Sequence, residues 1–270
     1  MGQIKSELRA VAQVSTDAKG YVPQPQDNLL PGVRLEQFEQ DLRTGAGHEL
    51  RSKFCAIHSS SALAVNTFAI FKDQPGDLSL LGKAGFGSPV FEHVLPTGLK
   101  GTPPTLDVFF RIGDEAIAVE SKFLEYFTSK KAEFSPSYTR AALPWAEDCW
   151  WQVVDNAKQV GKCHLDVAQL AKHYFGLSRL LEFGDALGWK PAKVILLYLF
   201  WEPRNSTEIG VCGIHRREIE ALVATVSGSK VAFRSLSYPE LWQSWEKIPR
   251  VTEHACRLKQ KYLVEVSPAC

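Results

Sequence analysis

The 270-residue chain reads as an α/β protein in which a central mixed β-sheet is flanked by helices. Three observations predict this. The alternating runs TLDVFFR and EAIAVES are joined at Gly113-Asp114, a hairpin signal. The continuous apolar run KVILLYLFW, near 193–201, reads as a strand inside the sheet. Helices are predicted between the two, at about 147–160 and 164–183.

Along the chain, residues 1–34 are polar and carry prolines at 23, 25 and 31, which predicts an irregular N-terminal arm before a single domain over 35–270. From about 48 to 71, Leu50, Phe54, Ile57, Val65 and Phe68 recur at helical spacing and predict one long amphipathic helix. Residues 73–104 are rich in Gly and Pro and read as loops, GKAGFGS as a flexible loop near the site. The hairpin follows, then an irregular stretch over 123–147, the two helices and the buried strand. Helices at about 214–226 and 237–247, a strand near 230–235 and a C-terminal helix complete the chain.

Composition narrows the function classes. Hydrophobic residues make up 45% and charged residues 23%, the balance of a globular protein with a sizeable core. Net charge is only +1, so a surface for phosphate has to be local. The six cysteines contain no CxxC pair and read as reduced thiols in a cytoplasm. No apolar run approaches a membrane span, and MGQIKSEL lacks a signal-peptide core. In GKAGFGS the lysine follows the first glycine, which breaks the P-loop pattern. Ser59–Ser61 have no nucleophile elbow, and the histidines form no HxxxH pair.

The chemistry concentrates on the hairpin. With Gly113 and Asp114 as the two turn residues, Ile112 faces Glu115 and, counting back, Asp107 faces Glu120. Side chains at facing positions lie about 5 Å apart at Cβ. Lys122, two residues on, points to the same face as Glu120. Leu106, Val108, Phe110, Ile117 and Val119 alternate with these and form the core face. Two facing carboxylates repel, so removing one (Glu120→Gln) is expected to stabilise the metal-free protein. A Mg²⁺ between them would relieve the repulsion, and Mn²⁺ could replace it. A neighbouring lysine can orient or deprotonate a water. The competing reading is a solvated strand face. Phe109, Ala116 and Ala118 on that face are poor material for a wet surface.

TPPTLDVFF followed by AVESK resembles the PD-(D/E)XK nuclease superfamily, and SSSALAVN with QLAKHYFGL is similar to a bacterial restriction-endonuclease-like group. Glu120-Ser121-Lys122 fits the Glu-x-Lys half of the motif. The other half departs, because Leu106 rather than proline precedes Asp107. The resemblance covers about 48–201 and implies a restriction-endonuclease-like core with extra C-terminal helices. It implies metal ligation by Asp107, Glu120 and the Ser121 carbonyl, with Lys122 activating water. It also implies a further ligand from the first helix, for which Glu49 is the match, although an acid favoured by the helix dipole fits equally. A glutamine on the following helix is expected from Gln169, with His173 one turn later, or from Gln152.

The expected activity is Mg-dependent endonucleolytic hydrolysis of DNA, with RNA as the other substrate. Cutting both strands of a duplex suggests a homodimer. The alternatives are a nucleic-acid-binding protein that keeps the fold but cleaves poorly, and an interaction protein whose hairpin acids are surface residues. Trp145, Trp150 and Trp151 near Lys130, Lys131 and Arg140 offer stacking or core packing. Arg216, Arg217, Arg250, Arg257, Lys259 and Lys261 are candidates for backbone contacts.

Overall fold

The hairpin turn closes because Gly113 takes a φ of 56°, a left-handed conformation that costs glycine little. It joins β2 (Thr105–Ile112) to β3 (Glu115–Lys122) in the register read from the sequence, from Ile112 opposite Glu115 to Val108 opposite Val119. The computed structural model describes residues 2–12, 14–44 and 53–267. Glu49 therefore lies outside the described residues.

The five-stranded sheet is mixed. β1 (Val90–Val94) pairs antiparallel with β2, and β3 pairs parallel with β6 (Lys193–Phe200), which pairs parallel with β7 (Val231–Ser237). A two-stranded ladder, β4 (Lys130–Lys131) with β5 (Lys162–Cys163), lies apart from it. The interior place of β6 is what its continuous apolar run predicts.

Helices cover both faces. On one, α3 (Ser60–Phe68), α7 (Tyr238–Trp245) and α8 (Thr252–Tyr262) bury Leu63, Phe68, Trp242, Trp245 and Leu258 with Val108, Phe110, Ile117 and Val119 of the hairpin. On the other, α4 (Asp148–Gln159), α5 (Val167–Phe183) and α6 (Gly210–Thr225) pack with Phe109, Ala116 and Ala118. The two helices expected before the central strand and the pair after it are all present. So the fold class is as expected, and the solvated-face reading of the hairpin fails.

Four expectations need correction. The N-terminal arm is not irregular throughout. Gly2–Val11 form α1, which places Ile4 and Leu8 in the core beside α8, and a short α2 (Glu39–Thr44) follows the arm. The segment after it is tied down by Asn28, whose side chain donates to the carbonyls of Phe54 and Ala56 at 2.8 and 3.0 Å. Only two core positions at helical spacing mark α1, too few to stand out. The long helix over 48–71 is broken: Ala56 bridges to Tyr21, and Ser59 caps α3 by accepting from the Ala62 amide. Ser59 to Ser61 thus start a helix rather than sit within one, and α3 is buried nearly all round. The stretch 73–104 is not loop throughout, because it contains β1. Finally, GKAGFGS lies at the turn end of the hairpin, where Lys83 pairs with Glu115 at 2.7 Å.

α5 closely approaches the chain just after β1 at Gly176, where a Cβ would lie 2.7 Å from Leu95 Cβ and 3.2 Å from its carbonyl oxygen. Gly176→Ala should therefore lower stability by about 1–3 kcal/mol through overpacking. Thermal melts of this variant beside Gly161→Ala, at a site with nothing within 4 Å, check this. Equal melting temperatures would contradict the close approach.

Candidate active site

Beyond Val108–Val119 the paired register of β2 and β3 stops, and side chains take over. The Ser121 amide donates to Asp107 Oδ2 at 2.7 Å. Opposite Asp107, Glu92 of β1 takes a φ of 49°, a conformation uncommon outside glycine. The faces switch here: Leu106 joins Phe109 and the α5 side of the sheet rather than Val108 as alternation predicts. The site thus occupies an irregularity at the C-terminal ends of β3 and β6.

Glu120 is 0% exposed, Lys122 9% and His173 1%. Glu120 Oε1 accepts from Lys122 Nζ, and Glu120 Oε2 is 2.6 Å from His173 Nε2. Lys122 also donates to Gln169 Oε1 at 2.8 Å. The match is geometric. Two residues along a strand advance about 6.6 Å and four along a helix about 6 Å, so Glu120 and Lys122 meet His173 and Gln169 in step. The α5 N-terminus is fixed by Asp166, whose carboxylate accepts from the Gln169 amide at 3.1 Å. Gln152 is exposed on α4 and plays no part.

The electrostatics divide the two acids. Burial opposes ionisation of Glu120, but Lys122 and then His173 overcome it and hold its pKa at about 2. Burial likewise opposes the charge on Lys122, and Glu120 and Asp107 outweigh it, so its pKa is raised. Asp107 keeps some surface open to solvent, yet burial first and Glu120 second push its carboxyl well above the usual range. The repulsion therefore falls on Asp107, not on Glu120 as expected from the sequence.

The donor chemistry fits a hard divalent cation in kind. Asp107 has one partly open carboxylate beside a second carboxylate, and its raised pKa marks a place that lacks positive charge. Both Glu120 oxygens are already engaged. Among the described residues no group of three or more His, Cys, Asp and Glu is arranged to hold a metal.

The structure brings together Asp107, Glu120, Ser121, Lys122 and Gln169. His173, noted in sequence only for its spacing from Gln169, joins them. The approach of Glu92 and the Ser121 hydroxyl's 2.6 Å contact with Tyr238 carry no sequence signal. Trp150 and Trp151 are core, Trp150 stacked on Tyr174 at 4.4 Å between centroids. Arg216 pairs with Glu202, Arg250 with Asp77, Arg257 with Glu253 and Lys259 with Glu246. Lys261 is buried and donates to the Asn28 carbonyl at 2.9 Å. The basic tail thus largely serves the fold.

A pH-dependent stability pattern follows. Asp107's raised folded pKa penalises folding once pH rises above 3.8 and fully so above the folded value. Asp107→Asn should therefore raise the metal-free melting temperature at pH 7, by about 1 kcal/mol in stability, and not below pH 3.8. Glu120's depressed pKa stabilises the fold above 4.5, a contribution lost as pH falls toward about 2. Glu120→Gln should cost about 3–5 kcal/mol at pH 7, because it leaves Lys122 buried without its main counter-charge. Melting curves from pH 3 to 7 in chelator test both, and a stabilised Glu120→Gln would refute the assignment.

A family model described as "Restriction Endonuclease associating with ARP" matches residues 4–263. No curated protein and no solved structure matches the chain. Among the described residues no helix is long and apolar enough to cross a membrane, and Cys149, Cys163, Cys212 and Cys256 are free thiols.

Proposed function

We propose, from the premise that the chain belongs to the family of restriction endonucleases associating with ARP, that it hydrolyses phosphodiester bonds of DNA at the site around Asp107, Glu120 and Lys122. The observation that carries this reading is the buried Glu120–Lys122 pair beside Asp107. A solvated hairpin would not bury an acid and an ammonium together, whereas phosphoryl chemistry uses both.

Asp107, Glu120 and the Ser121 carbonyl would hold Mg²⁺ or Mn²⁺, which when bound supplies a Lewis acid for the phosphate and lowers the pKa of a water. Glu49 remains a candidate further ligand. Lys122 lies where it can orient the attacking water and offset charge on the phosphate. Gln169 positions Lys122 by accepting one of its three donors, and His173 fixes the carboxylate of Glu120. The enzyme would act as a homodimer, one site per strand, in a cytoplasm consistent with its free thiols.

One observation favours a second reading, a nucleic-acid-binding protein that cleaves poorly: both oxygens of Glu120 are engaged already. The test separates the two. On a plasmid substrate in Mg²⁺, Asp107→Ala and Glu120→Ala should abolish nicking and the metal-induced rise in melting temperature. Lys122→Ala should lower the nicking rate about 10²–10⁴-fold and keep the metal-induced rise. A wild type that binds DNA but shows neither metal shift nor nicking supports the second reading. Nicking by Lys122→Ala at the wild-type rate would remove Lys122 from the mechanism.

A further inference from the structure

Two cavities of about 470 and 180 Å³ adjoin beside the N-terminal helix, both lined by Tyr21 and His58. The larger lies against α1 and is lined by Lys5, Arg9 and Lys19. The smaller carries Lys53 and the first residues of α3 and reaches Glu125. Its inner end approaches the candidate site at Glu125, which lines the cavity and whose charge acts on Lys122; beside it the Ser60 carbonyl accepts from the hydroxyl of Ser121 at 3.5 Å, on the face of β3 opposite Glu120 and Lys122.

The charges along this groove are unbalanced. Among the described residues, Lys5, Arg9, Lys19 and Lys53 take part in none of the ion pairs that neutralise Arg140, Arg216, Arg257 and Lys259. Two acids border the groove, Asp17 and Glu125, and both are engaged by backbone amides rather than by these side-chain cations. Asp17 accepts the amides of Lys19 and Tyr21 at 2.8 and 2.9 Å, and Glu125 accepts the Phe123 amide at 2.7 Å. His58, between the cavities, is held neutral by burial and by Lys5, with a pKa of about 4, and its buried Nδ1 has no hydrogen-bond partner. In a protein of net charge +1, four cations along one groove that form no salt bridge among the described residues, Arg9 donating only to the Ala18 carbonyl at 3.3 Å, suit a polyanion better than a single anion.

We propose that this groove seats the sugar–phosphate backbone of duplex DNA, with Lys5, Arg9, Lys19 and Lys53 neutralising phosphates as the strand is led to Asp107 and Glu120. The proposal rests on the DNA-nuclease reading above and adds the binding surface, which lies largely on the N-terminal segment.

The experiment measures binding of a fluorescein-labelled DNA duplex by full-length protein in chelator, by anisotropy across a salt series. The fourfold Lys5→Ala, Arg9→Ala, Lys19→Ala, Lys53→Ala variant is compared with wild type. The control is Lys190→Ala with Lys230→Ala, two exposed lysines that precede the N-terminal ends of β6 and β7, away from the site. The fourfold variant should lose about tenfold or more in affinity, and its salt slope should fall by about 3–4, near 0.9 per phosphate contact. The control should bind as wild type does. The exposed pair Arg9→Ala with Lys19→Ala, which leaves the buried face of α1 intact, should show about half the slope change and guards against misfolding. A fourfold variant with unchanged affinity and slope overturns the groove, whether or not the wild type cleaves. Groove-dependent binding without metal-dependent cleavage overturns the nuclease reading and leaves the groove standing. Tighter binding of an RNA duplex of the same length overturns the choice of DNA.

Discussion

Burying an ammonium and a carboxylate removes both from water at a cost of several kcal/mol each, recovered only when geometry and further hydrogen bonds are good. Glu120 and Lys122 meet that condition through α5. His173 takes the second oxygen of Glu120, and Gln169 takes another donor of Lys122. The rest of the architecture around the site serves this arrangement. α5 must lie in register with β3, its N-terminus must be held by Asp166, and Gly176 must let it approach the chain after β1. A helix displaced by one residue would face Glu120 and Lys122 with the wrong side chains.

The same pair explains why the two acids differ. Glu120 has Lys122 at one oxygen and His173 at the other and remains charged. Asp107 has a backbone amide and a neighbouring carboxylate, and its charge is disfavoured. An asymmetric pair of this kind is poised to accept positive charge on one side only, at the partly open carboxylate. This is where the proposed metal ion would approach.

Residues that look alike in the sequence therefore do different work. The C-terminal basic residues resemble a nucleic-acid surface but are mostly engaged in ion pairs or buried. The less conspicuous lysines of the N-terminal segment lack such partners among the described residues. A count of charges cannot separate these cases, because pairing depends on which acids the fold brings near.

The hairpin, its register and its chemical residues were legible because each depends on local rules. A two-residue turn sets the pairing, and period-two alternation sets the faces. The continuous run of β6 and the helical spacing of α4 and α5 are legible for the same reason, and the spacing of Gln169 and His173 put both on one face. What lay beyond the sequence was decided by contacts between distant segments. The edge strand β1 takes its form from pairing with β2, not from a strong pattern of its own. The helix α1 is marked by only two core positions, and the break before α3 comes from the pairing of Ala56 with Tyr21. The switch of faces at Leu106 and the left-handed turn at Glu92 arise where two strands part, which no single strand's alternation encodes. By itself the sequence determined which residues could carry the chemistry and the hairpin register as far as Val108 opposite Val119. Only the tertiary structure decided which acid bears the repulsion, which helix holds the lysine, and which cations form no salt bridge among the described residues, because burial and charge pairing are properties of neighbours in space.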